Sequence, residues 1–141
     1  MRLPSKRGYN PAMANFKVDL KKKKSQALVV HCSDPRFQQA HREIIDSHGH
    51  YYDLLVFPGA SKAIAENELV VDNIVMLHKL HGFKKICIFD HIECGAFGEI
   101  DDETAAHQQM INQAKTRLAK ALPGIQIEGH LVGDQEALKI S

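Results

Sequence analysis

Short β-branched apolar runs alternate with stretches of helical periodicity along most of this chain. That alternation constrains the fold more than any other feature. The runs at 26–31, 52–57, 85–89 and 125–132 are too short for core helices and rich in Val, Ile and Leu, the pattern of buried strands. Gly133-Asp134 and the run at 137–140 indicate a turn and a short last strand. Between these runs, 37–48 carries Phe37, Ala40, Ile44 and Ile45 at helical spacing and closes on Gly49. Leu69, Val70, Ile74, Leu77 and Leu80 form a helical stripe over 67–81, before Gly82. The clearest helix is 101–122, with an acidic first turn, a basic last turn and Pro123-Gly124 beyond. This order predicts an α/β fold with a mainly parallel sheet of four to five strands flanked by helices.

With 141 residues the chain suits one domain. We expect that α/β domain over 26–141, preceded by a polar N-terminal arm, 1–25. The arm holds Pro4, Pro11 and Lys21 to Lys24, with some helix around 12–20. A composition of 44% apolar and 25% charged residues excludes disorder as the main state. No apolar run approaches the roughly 20 residues that span a bilayer, so no membrane partner is expected. A net charge of +1 gives no reason to expect nucleic acid. The start shows no secretory pattern. Three cysteines, an odd number, argue against a disulfide framework. They favour a reduced, cytoplasmic setting in which clustered Cys and His serve a metal or catalysis.

In a parallel sheet, ligands sit beyond the carboxyl ends of the strands. After the first strand comes Cys32-Ser33-Asp34-Pro35-Arg36, after the second Pro58-Gly59-Ala60-Ser61, and after the third Asp90-His91-Ile92-Glu93-Cys94-Gly95. Cys32, His91 and Cys94 would then meet on one rim. Two thiolates and an imidazole are a zinc set, and three protein ligands leave a fourth position open, as catalytic sites do. Cys87, between Ile86 and Ile88, reads as core. Asp34 and Arg36 admit two readings, a turn built on Asp-Pro or a carboxylate–guanidinium pair beside the metal. Asp34 as a fourth ligand would close the site. A cysteine-phosphatase loop fails on spacing: Arg36 follows Cys32 by four positions, Pro35 intervenes and no glycine is present.

Cys32-x-Asp34-x-Arg36 together with His91-x-x-Cys94-Gly95 resembles the β-class carbonic anhydrases. The stretch from Ile127-Glu128-Gly129 through Gly133 and Leu138 resembles that family's last strands, so the resemblance covers roughly 26–140. It implies a Zn²⁺ site of Cys32, His91 and Cys94, with Asp34 and Arg36 as the catalytic dyad. The implied reaction is reversible hydration of carbon dioxide to bicarbonate by zinc-bound hydroxide. Zinc brings its water to a pKa of about 7 in the three-histidine carbonic anhydrases. A histidine would relay the proton. The resemblance further implies a homodimer or higher homo-oligomer, with the arm reaching a partner chain.

This chain departs from the family at two places. Pro58-Gly59-Ala60-Ser61 stands where the family carries Arg-Asn-Ala-Gly, and Pro35 replaces a serine. The wall beside the metal is therefore altered. Carbonyl sulfide or carbon disulfide hydrolysis on the same zinc is the alternative chemistry. A non-catalytic zinc-binding regulatory module is the alternative outside enzymes.

Overall fold

The first apolar run folds as β1 (Ala27–His31), and every one of its residues is buried. The structure, a computed structural model, describes residues 16–49 and 51–141. A 3-10 turn (Pro35–Phe37) leads into α1 (Gln38–Ser47) and then β2 (Tyr52–Val56). Next come α2 (Ser61–Glu66), α3 (Glu68–His81) and β3 (Lys85–His91). A second 3-10 turn (Gly95–Phe97), α4 (Glu103–Ala121), β4 (Gln126–Val132) and β5 (Ala137–Lys139) complete the chain. The sheet is five-stranded, in the order β2-β1-β3-β4-β5. All neighbours are parallel except β4 and β5. The expected α/β sheet is thus the observed one. No described helix is long and apolar enough to cross a membrane.

The sheet is covered on both faces, which is why its central strands read as continuous apolar runs. Leu28, Val30, Ile86 and Ile88 pack with Ile64 of α2, Val71 and Ile74 of α3, and Ile111 and Leu118 of α4. The alternate residues Val29, Cys87 and Phe89 pack with Phe37 and with Ile45 of α1. Burial of each such Leu, Ile or Phe contributes roughly 1.5–3 kcal/mol. The long helices begin and end where their capping residues stand. Asn67 accepts from the Leu69 N–H and Asp102 from the Ala105 N–H. Gly82 closes α3 in the left-handed conformation, φ 66°.

Three expectations change. The helix around 12–20 is absent over its described part: 16–19 have no regular structure and Leu20-Lys21 form a turn. Phe16, Val18 and Leu20 alternate with polar residues and supply no helical face. Residues 12–15 lie outside the described ones. The sequence predicts loop from Asp90 onward, but β3 continues through Asp90 and His91, paired with Leu131 and Val132. Last, α2 is not foreseen. Six residues cannot show a periodic stripe, and Pro58-Gly59 in front of them reads as an ordinary turn.

Candidate metal centre

Chain order locates the crevice. From β1 the chain passes through α1 to β2 on one side, whereas β3 lies on the other side of β1. Strand order therefore reverses between β1 and β3, and the groove opens at their carboxyl ends. Cys32 follows β1, His91 ends β3 and Cys94 lies three residues further on. Their ligand atoms all fall within 4.8 Å of one another. Cys32 Sγ and Cys94 Sγ are 3.9 Å apart and unbridged. A tetrahedral ion with bonds of about 2.3 Å to sulfur needs sulfurs about 3.8 Å apart, so the thiol pair already has that spacing.

The imidazole is oriented for the same task. His91 Nδ1 lies 2.6 Å from the Ile92 carbonyl oxygen. A carbonyl only accepts, so the ring proton sits on Nδ1 and Nε2 presents its lone pair. Nε2 is buried and has no hydrogen-bond partner. The Phe37 ring stacks on His91 at 4.2 Å and fixes its plane. An unmade hydrogen bond in a buried site is costly, and a cation at this point would satisfy it. Around the sulfurs, the Gly59 N–H donates to Cys32 Sγ at 3.4 Å. Burial, with Cys32 alongside, pushes the Cys94 thiol up to about 11. A coordinated cation displaces such a proton outright.

Asp34 and Arg36 stand beside these three. Asp34 caps the first 3-10 turn, its Oδ1 accepting from the Arg36 N–H at 2.9 Å. The guanidinium clasps the same carboxylate: Nη2 reaches Oδ2 at 2.8 Å and Nε lies 3.2 Å from both oxygens. Those bonds hold the Asp34 carboxyl down at about 2. Asp34 is thus at once a turn cap and one half of an ion pair. Asp34 Oδ2 is 3.8 Å from His91 Nε2, which sets an anion next to the three ligand atoms. Arg36 Nη2 also donates to the Glu93 carbonyl at 2.9 Å, tying the end of β1 to the loop after β3. That loop turns sharply at Glu93, φ 52°, whose N–H is held by the Glu103 carboxylate at 2.7 Å. A shallow cleft of about 430 Å³, lined by Glu93, Cys94, Gly98 and Glu103 among others, opens next to it.

Cys87 is buried in the core and its thiol is pushed up to about 11 by burial. Two further histidines lie near the site. Burial lowers His31, and it lowers His41 to about 3. Sequence reasoning missed a second polar cluster. Ser61, Asp90 and His107 are buried and bonded to one another. Their only signal is an aspartate directly before His91 in an apolar strand, and polarity alone reads there as the start of a loop.

Residues 22–140 match a family model described as "Putative carbonic anhydrase". An uncharacterized protein of Rickettsia conorii is 27% identical, over 77% of this chain and 68% of that one. An uncharacterized protein of Rickettsia bellii is 29% identical, over 58% and 59%. Among solved structures, the β-carbonic anhydrase isoform I of Trichomonas vaginalis superposes with a TM-score of 0.66 at 16% identity, covering 92% of this chain and 88% of its own. A carbonic anhydrase of Streptococcus mutans gives 0.63 at 16% identity, covering 85% and 84%. At that identity the two structures establish the fold.

Proposed function

This chain belongs to that carbonic anhydrase family, and on that premise we propose that it is a zinc-dependent enzyme for the reversible hydration of carbon dioxide to bicarbonate and a proton. One observation carries the reading: a buried imidazole Nε2 without a hydrogen-bond partner, grouped with two thiols 3.9 Å apart. Cys32, His91 and Cys94 would hold the metal. When bound, zinc supplies a Lewis acid that ionises water near neutral pH.

The chain's own residues supply orientation. Asp34, held at about 2, is an anion at any physiological pH and can only accept hydrogen bonds. A hydroxyl beside it can only donate a hydrogen bond to that carboxylate, which leaves the oxygen lone pairs turned away from Asp34 and towards a substrate in the crevice. Arg36 keeps both Asp34 oxygens engaged, which supports an open fourth position rather than a carboxylate ligand. The family suggests a small-molecule substrate. A homodimer is part of the same proposal, as is a reducing, cytoplasmic setting, since Cys32 and Cys94 can ligate a metal only while they are not joined in a disulfide.

Stopped-flow hydration with and without a zinc chelator tests the reading, with carbonyl sulfide as a parallel substrate. We expect zinc-loaded protein to hydrate carbon dioxide at pH 8–9 and chelation to abolish it. Zinc-loaded protein with no hydration there would overturn the proposal. Cys94→Ser should lose metal. Asp34→Ala should keep metal and lose about 10²-fold or more in rate, as when one oriented polar partner of a reacting oxygen is removed. Full zinc retention by Cys94→Ser contradicts the ligand assignment.

A further inference from the structure

β3 ends on two polar residues that serve opposite faces of the sheet. His91 stacks on Phe37 on the α1 side, and Asp90 is bonded to α2 and α4. Asp90 is 1% exposed, so its carboxylate depends wholly on protein partners. It has three. The Ser61 N–H reaches Oδ1 at 3.0 Å, the Ser61 hydroxyl reaches Oδ2 at 2.5 Å, and His107 Nδ1 lies 2.7 Å from Oδ2.

Ser61 closes a constrained turn. The Ala60 N–H donates to the Phe57 carbonyl at 3.1 Å across Pro58 and Gly59. Gly59 has φ 81°, and a Cβ there would stand 3.0 Å from Ala96 Cβ in the 3-10 turn after Cys94. Ala60 follows at φ 41°, ψ −90°, a conformation rare for an L-residue. Such a conformation persists only where the surroundings over-determine it. Here the turn aims the Gly59 N–H at Cys32 Sγ.

We propose that Asp90 is a positioning residue for the metal centre. Through Ser61 it locks the 58–61 turn, so that the Gly59 N–H orients and polarises the Cys32 sulfur, and His107 holds Asp90 in place. This inference rests on the zinc reading. It also gives the altered segment after β2 a purpose: Ser61 is an anchor for the turn and does not face substrate.

Cobalt(II) titration of the full chain tests it, read by the sulfur-to-cobalt charge-transfer band. Ser61→Ala and Asp90→Asn should keep the parental circular dichroism. Their cobalt affinity should fall 10–100-fold, as outer-shell changes typically do, and the band should shift. The double variant should lose no more than the worse single one, because both act through one turn. A merely structural role would lower the unfolding temperature and leave the affinity and band of folded protein unchanged. Should Asp90→Asn not fold, Ser61→Ala carries the test, since it removes one oxygen and leaves the carboxylate. Folded Ser61→Ala with parental affinity and band overturns the inference alone. Parental protein that binds no cobalt overturns the metal centre, and this inference with it.

Discussion

His41 is fully buried, and neither of its ring nitrogens has a hydrogen-bond partner. It stacks against His31 at 4.2 Å. Desolvation, with His31 and His91 near, lowers it to about 3. Its folded pKa thus lies below the value of about 6.5 in an unfolded chain. The sign follows: the unfolded state takes up a proton first, so stability is complete above about pH 6.5 and is lost as pH falls towards 3. Burial shifts His31 and His130 in the same direction. We expect His41→Phe to shrink the drop in urea midpoint between pH 7 and pH 5 relative to the parent under the same metal conditions. An undiminished drop assigns the acid sensitivity elsewhere. At this scale the sequence is legible where chemistry is rare. Cys32, His91 and Cys94 stand out by residue type at strand ends, and Asp34 and Arg36 by spacing. Ser61, Asp90 and His107 do not, because burial and tertiary partners give them their meaning.

At the level of elements, the signals that worked were apolar runs and caps. The strands and the long helices lie within a few residues of their expected bounds. The misjudged end of β3 has its cause in tertiary contact. β3 outlasts its apolar run because the ladder to β4 uses backbone groups, and Asp90 finds its partners on α2 and α4. Gly129 in β4 is a similar case. In sequence it reads as an ordinary strand glycine, but α4 crosses so close that a Cβ there would overlap Ile111 Cγ2. Ile111 is itself fully buried and branched at Cβ, with little freedom to yield. Gly129→Ala should therefore destabilise by overpacking, by about 1–3 kcal/mol. Chemical unfolding measures this, and an unchanged midpoint would show that α4 can shift away from the sheet.

Across the whole molecule, one side of the sheet ends in β4 and β5, and the other in β2, which among the described residues pairs only with β1. An edge strand with free N–H and C=O groups and apolar side chains tends to recruit another chain. β2 exposes Leu54 at 43% and Val56 at 41%, two residues on the same side of the strand. The adjoining surfaces are apolar as well. α3 meets β2 through His81 and Asp53 and exposes Leu69, Met76 and Leu80. Lys22 lies over the Tyr51 ring at 4.1 Å, next to a segment with Phe16, Val18 and Leu20 exposed. A chain of 141 residues that leaves this much apolar surface around one edge fits the proposed homodimer. In sedimentation velocity the protein should run as a dimer or larger species. Leu54→Lys combined with Val56→Lys should run as a monomer, because lysines blunt an edge strand. Each replaces an exposed side chain, so the monomer's own fold should change by only about 0.5 kcal/mol or less, and circular dichroism should be retained. A parent that stays monomeric at high concentration refutes the dimer. A parent dimer that survives both lysines moves the interface from β2 to the exposed face of α3.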